Sequence, residues 1–219
     1  RFDVVDGPLE DLTFRASGFR PERVDAWGTQ LAVSSSFKST ALLGVIGPNR
    51  TFRAASGLDV EKEFGRTLSF QAPPLEATEE RAFYLTRYRP WIYVYDLESN
   101  RFVKKVVYGE VEVDLPEPKK TEDDVRVYRP PRKVKFFALK VIGIPGHPNR
   151  VFVQAKGRAD PHTFTSSALY EIDVPTGTIV AEHDLGLKID KVAIADSSLY
   201  VYDDEKRKVF AYKLRSSKP

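Results

Sequence analysis

The stretch Trp91-Ile92-Tyr93-Val94-Tyr95-Asp96 decides the fold, because the chain repeats it as Ala168-Leu169-Tyr170-Glu171-Ile172-Asp173 and Ser198-Leu199-Tyr200-Val201-Tyr202-Asp203. Each tract alternates its side chains with a period of two, as a strand does when successive residues point to opposite faces. Each ends in Asp, passes through a short polar turn and re-enters an apolar strand. Repetition of one supersecondary unit points to an array of similar sheets.

Outward from these tracts the chain divides into four-strand units. The first takes Arg23 to Trp27, Gln30 to Val33, Ala41 to Ile46 and Thr51 to Ala54. The second takes Thr67 to Gln71, Ala82 to Thr86, Trp91 to Asp96 and Phe102 to Tyr108. A third takes Val134 to Ile144, Val151 to Gln154, Ala168 to Asp173 and Thr178 to His183, with Pro175-Thr176-Gly177 as a tight hairpin turn. The fourth has three strands, Lys191 to Ala195, Leu199 to Asp203 and Val209 to Lys213, so its third Tyr-Asp tract falls on a second strand. Leu12-Thr13-Phe14-Arg15-Ala16-Ser17-Gly18 echoes Thr51-Phe52-Arg53-Ala54-Ala55-Ser56-Gly57 and supplies the missing outer strand. Closure by an N-terminal strand removes two open edges. The expectation is an all-β fold, a β-propeller of four-stranded antiparallel blades closed by that strand. Four blades are counted; a five- or six-bladed ring stays open. The boundaries are 20–57, 65–109, an inserted loop 110–132, 133–187, and 188–214 completed by 11–18, all in one domain of 1–219. Helical periodicity is confined to Leu58 to Phe64 and Leu75 to Arg81.

The tracts resemble the loose repeats of six-bladed propeller proteins of the NHL, TolB-like and YVTN type, in which an aromatic-rich strand ends in Asp before a polar turn. The resemblance runs from Arg20 to Leu214. It implies a fold and a general role in binding, and it carries over no catalytic residue. The count of four departs from that group's usual six.

Composition bounds the rest. The 219 residues hold 34 basic and 31 acidic side chains, a net charge of +3 that gives no broad field for nucleic acid or acidic membranes. No apolar run approaches the ~18 residues that span a bilayer. Absence of Cys excludes a disulfide framework and thiolate chemistry. Met is absent too and the chain opens on Arg1, so a signal peptide, a pro-segment or a further domain is expected ahead of it. Asn occurs only at 49, 100 and 149, and Gln only at 30, 71 and 154. With 15 Pro and abundant Arg, Lys and Glu, this is a thermophile-like composition, or else drift in a GC-rich genome.

In a propeller, the loops from second to third strands and those between blades share one face. The register sends Glu110 to Arg132 and Gly157 to Ser167 there, and long loops in a compact domain carry function or stay disordered. That face is expected to hold Arg87, Tyr88, Arg89 and Trp91 from the second unit. The long loops add Tyr128, Arg129, Arg158, Asp160 and His162. Tyr, Trp and Arg anchor interfaces and stack on sugars. The alternative is that Trp91 and Tyr88 fill gaps between blades while the Arg side chains sit in solvent. Glu122-Asp123-Asp124 inside the insertion argues against a basic groove.

Catalytic signals are sparse. His147, His162 and His183 have no metal-ligand spacing, and no Gly-x-Ser-x-Gly elbow or phosphate loop occurs. The expectation is a non-catalytic module without cofactor or metal, periplasmic or extracellular, binding a protein or glycan partner. The alternatives are a hydrolase or lactonase with a metal at the channel mouth, for which Asp25 and Asp190 are the inward carboxylates, and a structural accessory subunit of a larger assembly.

Overall fold

A computed structural model of the chain describes residues 23–27, 30–34, 41–47, 49, 51–64, 75–78, 80–86, 89–109, 119–120, 126–127, 136–157, 166–195 and 197–214. The first sheet is the antiparallel meander β1 (Arg23–Trp27), β2 (Gln30–Ser34), β3 (Leu43–Ile46) and β4 (Phe52–Ala54). A short helix α1 (Val60–Phe64) follows. The second meander is β5 (Leu75–Ala77), β6 (Arg81–Leu85), β7 (Trp91–Asp96) and β8 (Arg101–Val107). Two short strands, β9 (Lys119–Lys120) and β10 (Arg126–Val127), pair with each other.

The remainder departs from the expected ring. β11 (Phe136–Ile144), β12 (His147–Gly157), β13 (Ser166–Asp173), β14 (Thr178–Ala195), β15 (Ser198–Asp203) and β16 (Lys208–Lys213) form one six-stranded sheet. The fold is all-β, as expected, but it is not a closed four-bladed propeller: the third and fourth units fuse into an open half-barrel. The fusion has a local cause. The third unit's last strand is expected to end at His183 and the fourth unit's first to begin at Lys191, yet Leu185, Leu187 and Ile189 continue the period of two straight through the gap, past Asp184-Leu185-Gly186. Gly186 takes a φ of 59° and donates its N–H to Asp184 Oδ1 at 2.9 Å, so the strand bends there instead of ending. β14 therefore pairs with β13 in its first half and with β15 in its second. The expected closing strand, residues 11–18, lies outside the described residues.

The second sheet is covered on both faces. On one, Tyr84, Tyr93 and Tyr95 meet Leu42, Leu43 and Val45 of the first sheet and Val60 and Phe64 of α1. Tyr84 and Tyr93 lie edge to face, 6.1 Å apart at 88°, and Tyr95 stands similarly on Phe102 at 5.7 Å. Each such pair adds about 0.5–1.5 kcal/mol beyond the area it buries. On the opposite face, Phe83, Leu85, Ile92 and Val94 meet Val141, Val151 and Val153 of the half-barrel. The half-barrel curls around a core of its own, in which Ile142, Phe152 and Leu169 face Ile189, Val192 and Val201. Gln154, buried there, donates from Nε2 to Ile189 O at 2.8 Å.

The terminal Asp of each repeated tract closes its hairpin in one way. Asp96 Oδ1 accepts the Ser99 N–H at 2.7 Å, Asp173 Oδ2 that of Thr176 at 3.1 Å, and Asp203 Oδ1 that of Lys206 at 2.8 Å. The next residue is left-handed every time, with φ of 50° at Asn100, 75° at Gly177 and 52° at Arg207. A turn followed by one left-handed residue returns the chain in register for an antiparallel partner. Hydrogen bonds from Ser99 hold the Asp96 carboxyl below its ordinary 3.8, and those from Thr176 do the same for Asp173. We expect Asp96→Ala and Asp173→Ala each to cost about 1 kcal/mol in urea denaturation, with Asn at either position recovering part of it. Because the folded carboxyls titrate low, their contribution stands above pH 3.8 and fades as pH falls through the lower folded values. Acid titration of the wild type against the double Ala variant checks the sign.

Candidate functional site

The innermost strands β1, β5 and β11 and the second half of β14 converge, and there the fold buries charge. Asp25 on β1 accepts the Ala77 N–H through Oδ2 at 2.7 Å, tying the first sheet to the second. Glu76 on β5 points toward the half-barrel and accepts the Gly143 N–H through Oε1 at 3.3 Å. Lys140 on β11 donates from Nζ to Val192 O of β14 at 2.7 Å, clasping the half-barrel across its interior. A cavity of about 450 Å³ opens beside them, lined by Glu76, Thr78, Glu80, Lys140, Gly143 and Ile194 among others. Arg81 fixes its rim, donating from Nη1 to Asn149 Oδ1 at 2.9 Å and to Pro148 O at 3.3 Å.

Close strand approach makes the junction possible. A Cβ at Gly143 would run into Thr78 Cγ2, so β11 lies against the end of β5 only because this residue has none. Burial, and then the charge of Asp25, push the Glu76 carboxyl up to about 7, against the opposing pull of Lys140 and the Gly143 N–H. Carboxyls held near neutrality beside a cavity are common at sites of binding and proton transfer, and are found in structural charge networks as well. Among the described residues no three His, Asp or Glu side chains come together as a metal site requires.

Of the residues expected to contact a partner, Arg89 and Trp91 are described. Arg87, Tyr88, Tyr128, Arg129, Arg158, Asp160 and His162 lie outside the described residues. Trp91 is half-buried against the aromatic core between the first two sheets. Arg89 Cζ lies 4.4 Å and Lys105 Nζ 4.3 Å from the centre of its ring. Lys105 Nζ and Tyr93 Oη both donate to Glu63 Oε1, at 2.6 and 2.8 Å. Burial raises the Glu63 carboxyl, but these two bonds outweigh it and hold it below the ordinary 4.5. The indole is thus a fixed ledge with two cations over it. It lies at the Leu85–Ile92 end of the second sheet, while the cavity lies at the opposite, Ala77–Arg81 end.

Asp25, expected as an inward carboxylate of a channel mouth, bonds the Ala77 N–H and does not itself line the cavity. Asp190 lies 3.7 Å from Lys191 on the same strand and does not line the cavity. Glu76 was missed because Leu75 to Arg81 reads as a helix; the segment is instead β5 and the turn into β6. The strand expected innermost in that unit, Thr67 to Gln71, lies outside the described residues.

No family profile matches the chain, and no curated protein matches it. Among solved structures it is similar to AztD of Citrobacter koseri, with 16% identity and a TM-score of 0.47 over 92% of this chain and 45% of that one. The extracellular domain of the putative one component system BT4673 from B. thetaiotaomicron shares 10% identity and a TM-score of 0.49, over 90% of this chain and 21% of that one. BamB from Moraxella catarrhalis shares 16% identity and a TM-score of 0.41, over 87% and 48%. The chain therefore spans less than half the length of each. The resemblance to propeller proteins stands as a weak structural similarity and does not extend to function.

Glu76 gives the junction a pH signature. Between its ordinary 4.5 and about 7 the folded chain holds a proton that the unfolded chain has released, so stability falls as pH rises across that window and levels off above it. Glu76→Gln is expected to flatten this slope and to be more stable than the wild type above pH 7. Urea midpoints at pH 5, 6, 7 and 8 check it, and parallel curves for the two proteins would count against the buried, proton-holding carboxyl.

Proposed function

We propose that this chain is a non-catalytic binding module that takes a hydroxyl-bearing group, the end of a glycan, into the cavity between the second sheet and the half-barrel. What carries this is the junction of Glu76, Thr78, Glu80 and Lys140 around about 450 Å³ of space. Cavities of that size suit small ligands, roughly 300–1,000 Å³ being usual. Carboxylates accept paired hydroxyls, the ammonium N–H groups of Lys140 not used on Val192 O add donors, and Ile142, Ile144 and Ile194 offer an apolar wall for the C–H face of a sugar. A module of this kind meets glycans outside the cytoplasm, and the proposal includes a periplasmic or extracellular location. No helix among the described residues is long and apolar enough to cross a membrane.

A second reading is capture of a protein through the opposite end, and the ledge of Trp91 under Arg89 and Lys105 favours it. Rigid Trp and Arg groups are common energetic anchors of protein interfaces.

A glycan microarray probed with wild type and Glu76→Gln separates the two. Binding to a defined glycan set that drops about tenfold or more in the variant supports the cavity. An array blank for the wild type overturns it. Capture of a protein that weakens in Arg89→Ala or Lys105→Ala, with unchanged melting, would move the site to the Trp91 end.

A further inference from the structure

The curl of the half-barrel leaves a second cavity, also about 450 Å³, in the cleft where β12 and β13 face the ends of β15 and β16. Its wall is apolar, formed chiefly by Phe152, Leu185, Leu199, Tyr212 and Leu214. A cluster of charged and titratable groups lies on its β12–β14 side, with Lys213 of β16 across from it. Arg150 Nη1 donates to Glu171 Oε1 at 2.7 Å, and His183 Nε2 lies 3.6 Å from Glu171 Oε2, just beyond a hydrogen bond. Phe152 stands edge-on to the His183 ring at 5.8 Å and fixes its plane. The His183 Nε2 atom is buried and has no hydrogen-bond partner.

The charge balance decides what such a cleft accepts. Glu171 is the only acid among its described lining residues, and the Arg150 guanidinium already neutralises it. Lys213 and the imidazoles of His147 and His183 remain, together with the guanidinium N–H groups that Glu171 does not use. An apolar body therefore finds a wall, and an anionic head finds donors without displacing a carboxylate. Guanidinium–carboxylate bonds are among the stronger polar contacts available in such a site. A cationic head would face Arg150 and Lys213 instead.

We propose that the half-barrel mouth is a binding pocket for a small amphipathic organic anion, a carboxylate on an aromatic or medium-length hydrocarbon body. The carboxylate meets Arg150 with Lys213 at the rim, and the body lies along Phe152, Leu199 and Leu214. Glu171 and His183 are positioning residues that hold the guanidinium and the inner wall.

Isothermal titration of the full chain with 4-phenylbutyrate, its amide and 4-phenylbutylamine varies only the head group. The carboxylate is expected to saturate the protein, the amide to bind about tenfold more weakly and the amine weakest. Arg150→Gln, checked for folding by circular dichroism, is expected to lose about tenfold or more for the carboxylate. Lys213→Glu at the exposed rim lowers affinity in the same direction and serves if Arg150→Gln does not fold. Absence of saturable carboxylate binding, equal binding of the amine, or wild-type affinity in a folded Arg150→Gln variant would overturn the pocket. Glu76→Gln is expected to leave the titration unchanged, which keeps this result separate from the glycan reading.

Discussion

The structure depends on one small interaction used three times: an Asp carboxylate at the end of a strand accepts the N–H three residues on. At Asp96, Asp173 and Asp203 it sets a turn that ends in a left-handed residue, and that turn fixes the register of the hairpin. A register error of one residue would turn Tyr93 and Tyr95 from one core to the other. The following residue repeats the pattern again. The N–H of Leu97 donates to Glu80 O, that of Val174 to Asn149 O and that of Asp204 to Lys188 O. Each turn is thereby tied to the strand or turn before it, and the repeated tracts occupy equivalent places.

That equivalence explains what the tracts conveyed and what they concealed. β7, β13 and β15 each lie between two antiparallel partners, so the three tracts share one structural position. The third tract counts as a second strand because the strand before it, the second half of β14, is continuous with the last strand of the preceding unit. β14 thus serves two neighbours in succession. Trp91–Asp96 could be bounded from sequence because aromatic alternation and the closing Asp coincide there. Asp184-Leu185-Gly186 could not, because Asp and Gly signal a turn equally well whether the chain reverses or only bends.

The site was legible in proportion to the length of its strands. Asp25 belongs to the five-residue β1 and could be singled out from sequence, though for a channel mouth that the open half-barrel does not form. Glu76 belongs to the three-residue β5, flanked by Pro73-Pro74 and by Glu79-Glu80, where no window is long enough to show a period of two. Lys140 sits beside a bulge between Ala138 and Lys140, which moves it to the interior against simple alternation. Arg150, Glu171 and His183 come from three consecutive strands and meet as diagonal cross-strand neighbours, which only the register of both hairpins reveals. No spacing in the chain announces them.

The two cavities stand in different relations to stability. Around Arg150 and Glu171 the charges are matched, and the surrounding apolar wall belongs to the half-barrel's own core. At Glu76 they are not. Lys140, whose charge favours the ionised form, donates to Val192 O, and the Gly143 N–H is a long donor at 3.3 Å. A Gln or an apolar residue would satisfy β5 at lower cost, since packing alone does not call for a carboxyl beside Asp25. Buried groups held against their own solvation concentrate where a protein binds or reacts, and stable folds give up a little elsewhere to keep them. The same convergence of short inner strands that makes Glu76 costly also opens the cavity beside it. Cost and opening therefore arise from one constraint, the close approach of β5 to β11 that Gly143 permits.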